Sequence, residues 1–195
     1  YMIEGGSSRD FANAKAWARE DAAGFTELID LLVEATAEYL IAQAEAGAEV
    51  LQIFDSWASV WEGPELRHWC LKPAVEIIRR VKMAHPKVPV ILFPRAVGKA
   101  YGEFAREAGA DGLSLDPSVS LAWARETLQP DVALQGNLNP QVLVRGGAEL
   151  RDAVDEILRE LAGGPFIFNL GHGIVPETPP EHVAALVEQV RAWRP

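Results

Sequence analysis

The chain has 195 residues, 49% of them hydrophobic and 24% charged, which suits one globular domain with a sizeable core. A net charge of −10 argues against a nucleic-acid or anionic-membrane surface, and no apolar run approaches the roughly 20 residues of a membrane helix. The single Cys70 excludes an internal disulfide framework and fits a reducing, cytoplasmic setting.

Taken in chain order, Ser7-Ser8-Arg9-Asp10 supplies side chains for a helix N-cap, with Asp10 near the positive end of the dipole. Ala22–Ala46 carries Leu28, Leu31, Leu32, Ala35, Tyr39 and Leu40 at helical spacing. Glu49–Phe54 is the first apolar, β-rich run and ends in Asp55-Ser56. Pro64–Met83 is a helix interrupted at Pro73, where a break or kink is expected. The run Val88–Phe93 leads to Arg95, and Tyr101–Ala108 is helical. Gly112–Leu115 is a third strand, ending in Asp116, and the helix Leu121–Thr127 follows. Val132–Gln135 is the fourth strand, and Gly136-Asn137-Leu138-Asn139-Pro140 reads as a strand-to-loop turn. Ala148–Leu161 is helical, Phe166–Asn169 is the fifth strand, and Pro180–Trp193 is the last helix, opened by proline. Gly47, Gly109 and Gly163-Gly164 stand where helix C-caps belong.

Continuous apolar strands alternating with helices imply an α/β fold with a parallel sheet covered on both faces. An open doubly wound sheet and a closed (β/α)8 barrel both fit. No Gly-x-Gly-x-x-Gly follows the first strand, which weakens the nucleotide-binding version. Asp55-Ser56, Arg95, Asp116, Asn137, and Asn169 with His172 all stand at strand ends, which converge on one mouth in a barrel. The Gly-His-Gly turn after Phe166-Ile167-Phe168 leaves a titratable ring at a strand tip, where the two glycines permit a tight bend.

Asn169–Val183, with its Gly-His-Gly and Thr-Pro-Pro-Glu-His-Val, resembles the C-terminal signature of the uroporphyrinogen decarboxylase family. Tyr1-Met2-Ile3-Glu4-Gly5-Gly6-Ser7, Gln52-Ile53-Phe54-Asp55-Ser56-Trp57-Ala58 and Leu134-Gln135-Gly136-Asn137-Leu138-Asn139-Pro140 resemble three further segments of that family, in the same order. The resemblance implies a TIM barrel of which this chain is the C-terminal portion, with about five strands present and the N-terminal side absent. It implies a cytoplasmic homodimer that needs no cofactor or metal. The implied reaction removes carbon dioxide from the four acetate side chains of uroporphyrinogen III, giving coproporphyrinogen III for haem synthesis. The family's arginine-rich substrate segment and pyrrole-binding aspartate have no counterpart in this chain.

Carried over residue by residue, the resemblance implies that Tyr1 lines the cleft as a catalytic and substrate-binding residue. Ser56 and His172 become substrate-binding residues, and Arg95 a carboxylate-binding candidate whose guanidinium fork suits such a substrate. Asn137 is a structural residue beside the cleft, and His68, His85 and His182 are solvated. Three positions depart from the family pattern: Ser59 and Ala96 replace glycine, and Asn139 replaces aspartate. Two other functions remain open. One is a related corrinoid or coenzyme methyltransferase, whose zinc would need a His-x-Cys pair that Cys70 does not form. The other is a non-catalytic barrel fragment that binds tetrapyrrole or a partner chain.

Overall fold

In the computed structural model, which describes residues 2–194, each of the five apolar runs becomes a strand. They are β1 (Leu51–Asp55), β2 (Val90–Pro94), β3 (Gly112–Ser114), β4 (Ala133–Leu138) and β5 (Phe166–Leu170). All neighbours pair in parallel, in the order β1-β2-β3-β4-β5. This is an α/β architecture with an unclosed parallel sheet, consistent with part of a TIM barrel. Strands β1 and β2 each begin two residues later than expected. Pairing starts where Leu51 N–H donates to the Pro89 carbonyl, and Pro89 has no N–H to return to the ladder. Strand β4 runs three residues further than expected, through the glycine that reads as a turn in the sequence.

The strands alternate between two faces. Leu51, Leu92, Leu113, Leu134 and Leu138 point to the helical side and are fully buried. They meet helices α4 (Lys72–Ala84), α5 (Tyr101–Glu107) and α8 (Gly147–Leu161), whose own buried stripes complete one core. The opposite face carries Gln52, Phe54, Phe93, Ser114, Gln135 and Asn169. Its centre is buried, while Phe54 on one edge strand is 67% exposed and Ile167 on the other is 45% exposed. A polar ladder crosses this face: Gln135 Nε2 donates to Ser114 Oγ and to Gln52 Oε1, both at 3.2 Å.

Four helical expectations need correction in whole or in part. Helix α1 (Ala12–Glu20) starts after Phe11, whose N–H donates to Ser8 Oγ at 3.0 Å as the sequence suggests, while within the first turn Glu4 Oε1 accepts the Ala14 N–H at 2.9 Å. In α2 (Ala22–Glu45) the buried stripe is Phe25, Val33, Ala37 and Leu40, whereas Leu31 and Tyr39 are 60% and 66% exposed. The sequence holds two apolar stripes on this helix, and only one faces α4. Pro73 distorts its helix without ending it. The short helix α3 (Gly63–Leu66) passes through a widened π-turn at Arg67–Leu71 into α4, with Pro73 in the first turn of α4. The wider turn accommodates a residue that has no N–H and crowds the carbonyl four places back. Between β4 and α8 lies the unforeseen α7 (Pro140–Arg145), capped by Asn139 Oδ1, which accepts the Gln141 N–H at 2.9 Å. Asparagine followed by proline is an N-cap followed by the first helical residue, a signal available in the sequence. Helices α6 (Leu121–Thr127) and α9 (Pro180–Ala192) lie where expected. Gly47 and Gly109 adopt the positive φ expected after α2 and α5.

Candidate active site at the strand ends

Ser56, Arg95, Asn137 and His172 all stand at the C-terminal end of the sheet. Phe54, Ser56, Phe93, Ser114, Asn169 and His172 line one open cleft of about 460 Å³. The cleft sits on the face opposite the main helical core, as strand alternation requires: Phe54 and Ser56 face it, whereas Asp55 faces Cys70 behind the sheet. Burial pushes the Asp55 carboxyl up, opposed by hydrogen bonds from the Cys70 thiol and the Trp57 N–H. Burial and the Asp55 carboxylate push the Cys70 thiol far up, which makes it an inert packing group.

Arg95 bridges β1 and β2 at the mouth. Its backbone N–H donates to the Asp55 carbonyl at 3.1 Å, and its Nη1 donates to the Ser56 carbonyl at 3.4 Å. Arg95 belongs to none of the ion pairs among the described residues. Its guanidinium therefore retains donors for an incoming anion. His172 lies within the field of this cation. Partial burial and Arg95 together hold its ring below the ordinary imidazole value. The Gly173 N–H donates to His172 Nδ1 at 2.7 Å, so the neutral ring carries its proton on Nε2. A neutral imidazole and a serine line the cleft, and the Arg95 guanidinium is held against the Ser56 carbonyl beside it, a set suited to carboxylates. Tyr1, the catalytic residue expected from the sequence, lies outside the described residues.

Asn137 is a buried tie, as expected, and its Nδ2 donates to the carbonyls of Asp116 and Val119 at 3.1 and 3.0 Å. Ser59 sits in a short 3₁₀ turn at negative φ, so glycine's freedom is not needed there. Ala96 is different: its φ of 61° lies in the left-handed region that glycine adopts freely. Asn139 keeps an oxygen to cap α7 but gives up the charge an aspartate would place against the helix dipole. His182 is not solvated. Its Nδ1–H donates to the Leu143 carbonyl at 3.0 Å, and a Cβ at Gly146 would meet its ring at 2.4 Å. The Gly-His-Gly turn also works differently from its sequence appearance. Neither glycine has positive φ. Gly171 is required because Pro117 lies 2.6 Å from where a Cβ would stand, whereas Gly173 has open space.

Sequence reasoning noted Asp116 as a strand-end polar residue and missed what it holds. Its Oδ2 accepts the Ala96 N–H at 3.0 Å and the Tyr101 hydroxyl at 3.1 Å, while its Oδ1 accepts the Ser118 N–H at 2.9 Å and the Ser118 hydroxyl. Burial pushes this carboxyl up, but those hydrogen bonds outweigh it and leave the group below the usual carboxylate range. The sequence pattern gives no cue to these pairings, because Tyr101 opens a helix that otherwise packs on the core.

An unclosed five-stranded parallel sheet with Ser56 and His172 lining a strand-end cleft, and Arg95 beside them, is consistent with part of an α/β scaffold of the barrel class. The chain belongs to the uroporphyrinogen decarboxylase family: the family model described as "Uroporphyrinogen decarboxylase (URO-D)" matches residues 1–193. It is similar to the uroporphyrinogen decarboxylase of Rhodospirillum rubrum, 52% identical over 194 residues, covering 100% of this chain and 56% of that protein. The enzymes of that name from Paracoccus denitrificans and a Chelativorans species are 49% and 46% identical, covering 98% and 100% of this chain and again 56% of each relative. The chain therefore spans just over half the length of these curated relatives. Among the described residues no three His, Cys, Asp or Glu side chains gather as a metal-holding group. No helix among them is long and apolar enough to cross a membrane.

Proposed function

We propose that the complete protein to which this chain belongs removes the carboxyl groups from the four acetate side chains of uroporphyrinogen III. The product is coproporphyrinogen III, an intermediate of haem synthesis. The observation that carries this reading is the cleft lined by Ser56 and His172, with Arg95, which has no acidic partner among the described residues, bonded to Ser56 beside it. In each step a proton adds to a pyrrole carbon. The bond between the acetate methylene and its carboxylate then breaks, and its electron pair flows into the cationic ring. Carbon dioxide leaves, the methylene carbon takes a proton to become a methyl group, and the ring loses its added proton. No external oxidant or reductant is consumed.

Within this reading Arg95 binds a substrate carboxylate by its free donors. His172, held neutral, offers Nε2–H to a second anionic group, and the Ser56 hydroxyl to a third. Tyr1 is proposed as the cleft tyrosine that donates to the reacting acetate. The working protein is proposed to be a cytoplasmic homodimer. The test is anaerobic incubation of the complete gene product with uroporphyrinogen III, followed by oxidation and chromatography of the porphyrins. Sequential loss of carboxylates from eight to four is expected. No product under conditions in which a related decarboxylase turns over would overturn the proposal.

A further inference from the structure

Arg95 is a strand-end cation beside the cleft, yet its placement does not follow from its own strand. It lies one residue past Pro94, where β2 has ended. Its backbone is held from two sides. On one side its N–H donates to the Asp55 carbonyl at 3.1 Å. On the other the next amide, that of Ala96, donates to Asp116 Oδ2 at 3.0 Å. Ala96 takes up this bond at a φ of 61°, where a side chain crowds its own backbone. Something must hold the residue there.

We infer that Asp116 is a positioning residue for Arg95, acting through the Ala96 amide. The carboxylate is well anchored for the task. Asp116 is buried, and Oδ2 also accepts the hydroxyl of Tyr101, a residue with no exposure at all. The Asp116 N–H donates back to that hydroxyl at 3.4 Å. Both Ser118 donors fix the other oxygen, and Asn137 holds the Asp116 carbonyl. The three donors other than the Ala96 N–H, from Tyr101 and Ser118, hold the carboxylate in place, so Oδ2 is a rigid acceptor aimed at the arginine's loop. Without it, Ala96 is free to relax to negative φ. That rotation swings the preceding peptide and carries the Arg95 guanidinium away from the Ser56 carbonyl.

This inference rests on the carboxylate-binding reading of Arg95, and its test has one arm that does not. In the complete gene product, Asp116→Asn keeps the volume but replaces one acceptor oxygen by a donor. KM for uroporphyrinogen III is expected to rise about tenfold, with kcat changed less than about threefold, because the lost contact is one of binding. Arg95→Gln should raise KM similarly. The double variant should be no worse than Arg95→Gln alone to within about twofold, since both changes remove one interaction. Multiplying effects would mean that Asp116 acts elsewhere, and would overturn the inference. Tyr101→Phe, which removes one donor without touching the charge, should show the same non-additivity and covers the case of a poorly folded Asp116→Asn. The second arm is a crystal structure of the Asp116→Asn or Tyr101→Phe protein, where the guanidinium is expected to leave the Ser56 carbonyl. A guanidinium unmoved in both variants overturns positioning whatever the kinetics. A displaced guanidinium in a protein whose wild type turns over no uroporphyrinogen would sink the decarboxylase reading and uphold this one.

Discussion

Gly171→Ala tests whether the histidine turn is placed by close packing against the β3–α6 loop. A Cβ at Gly171 would stand 2.6 Å from Pro117 Cδ and 2.7 Å from the Pro117 backbone nitrogen. Opening this from 2.6 Å to an ordinary 3.4 Å separates the two segments by about 0.8 Å. Neither side yields easily. The Gly171 N–H is bonded to the Leu138 carbonyl at 2.8 Å, and Pro117 follows the fully bonded Asp116. Overpacking of this kind costs about 1–3 kcal/mol. His172 is the next residue, so its ring moves with the turn. Misplacing a substrate-positioning group by about an ångström can cost on the order of 100-fold, so kcat/KM should fall by about 10- to 100-fold. Gly173→Ala is the internal control: its Cβ meets nothing within 4 Å and its φ is not positive. Urea denaturation and steady-state decarboxylation of the complete protein read both quantities. A Gly171→Ala protein as stable and as active as Gly173→Ala would refute the packing argument.

Ala96→Gly should stabilise by about 0.5–1 kcal/mol, because relief of a left-handed alanine exceeds the entropy that glycine adds to the unfolded chain. Denaturation midpoints measure it, and a loss of stability would show that φ of 61° carries no strain. The His172 ring titrates below 6.5 in the folded protein, so on acidification the unfolded chain takes up this proton first. Its contribution to stability is therefore fully present above the ordinary imidazole value and is lost as pH falls from there to the lower folded value. Activity that needs the neutral ring should decline on an acid limb below 6.5, and this limb should vanish in His172→Asn. An unchanged limb in that variant would remove His172 from the titration. Residues 1–195 alone should self-associate, because β1 and β5 each have an unpaired edge among the described residues. They should also fail to convert uroporphyrinogen. Light scattering that reports a stable monomer at high concentration contradicts the first expectation, and seven- to four-carboxylate products from this chain contradict the second.

The strands were legible as apolar, β-rich runs between helical patterns, although one face of the sheet is an open cleft and not covered as expected, and all five lie within a few residues of their sequence positions. The meeting of Ser56, Arg95 and His172 was legible for a related reason: a parallel sheet brings successive strand ends to one side. Gly136 misled, since a glycine inside a strand reads as a turn until its neighbour is seen. Its Cβ would stand 2.7 Å from the Leu115 carbonyl oxygen, so close backbone approach sets the residue. On α2 periodicity could not choose between two apolar stripes, because only the position of α4 decides which is covered. The tie from Asp116 to Ala96 spans 20 residues and depends on where two loops cross, which no local pattern encodes.

The Gln52–Gln135 bond says something about shape. Strands β1 and β4 are three places apart in the sheet, about 14 Å in a flat one at ordinary strand spacing. Two glutamine side chains standing upright on a flat sheet would not meet over that distance, yet these lie 3.2 Å apart. The sheet must therefore be rolled toward the cleft, so that side chains from distant strands lean together like staves seen from inside a cask. The roll exists in the five strands without closure of the ring. A further strand docking on β1 or β5 would meet an arc already bent, spanned from within by two amides and a serine.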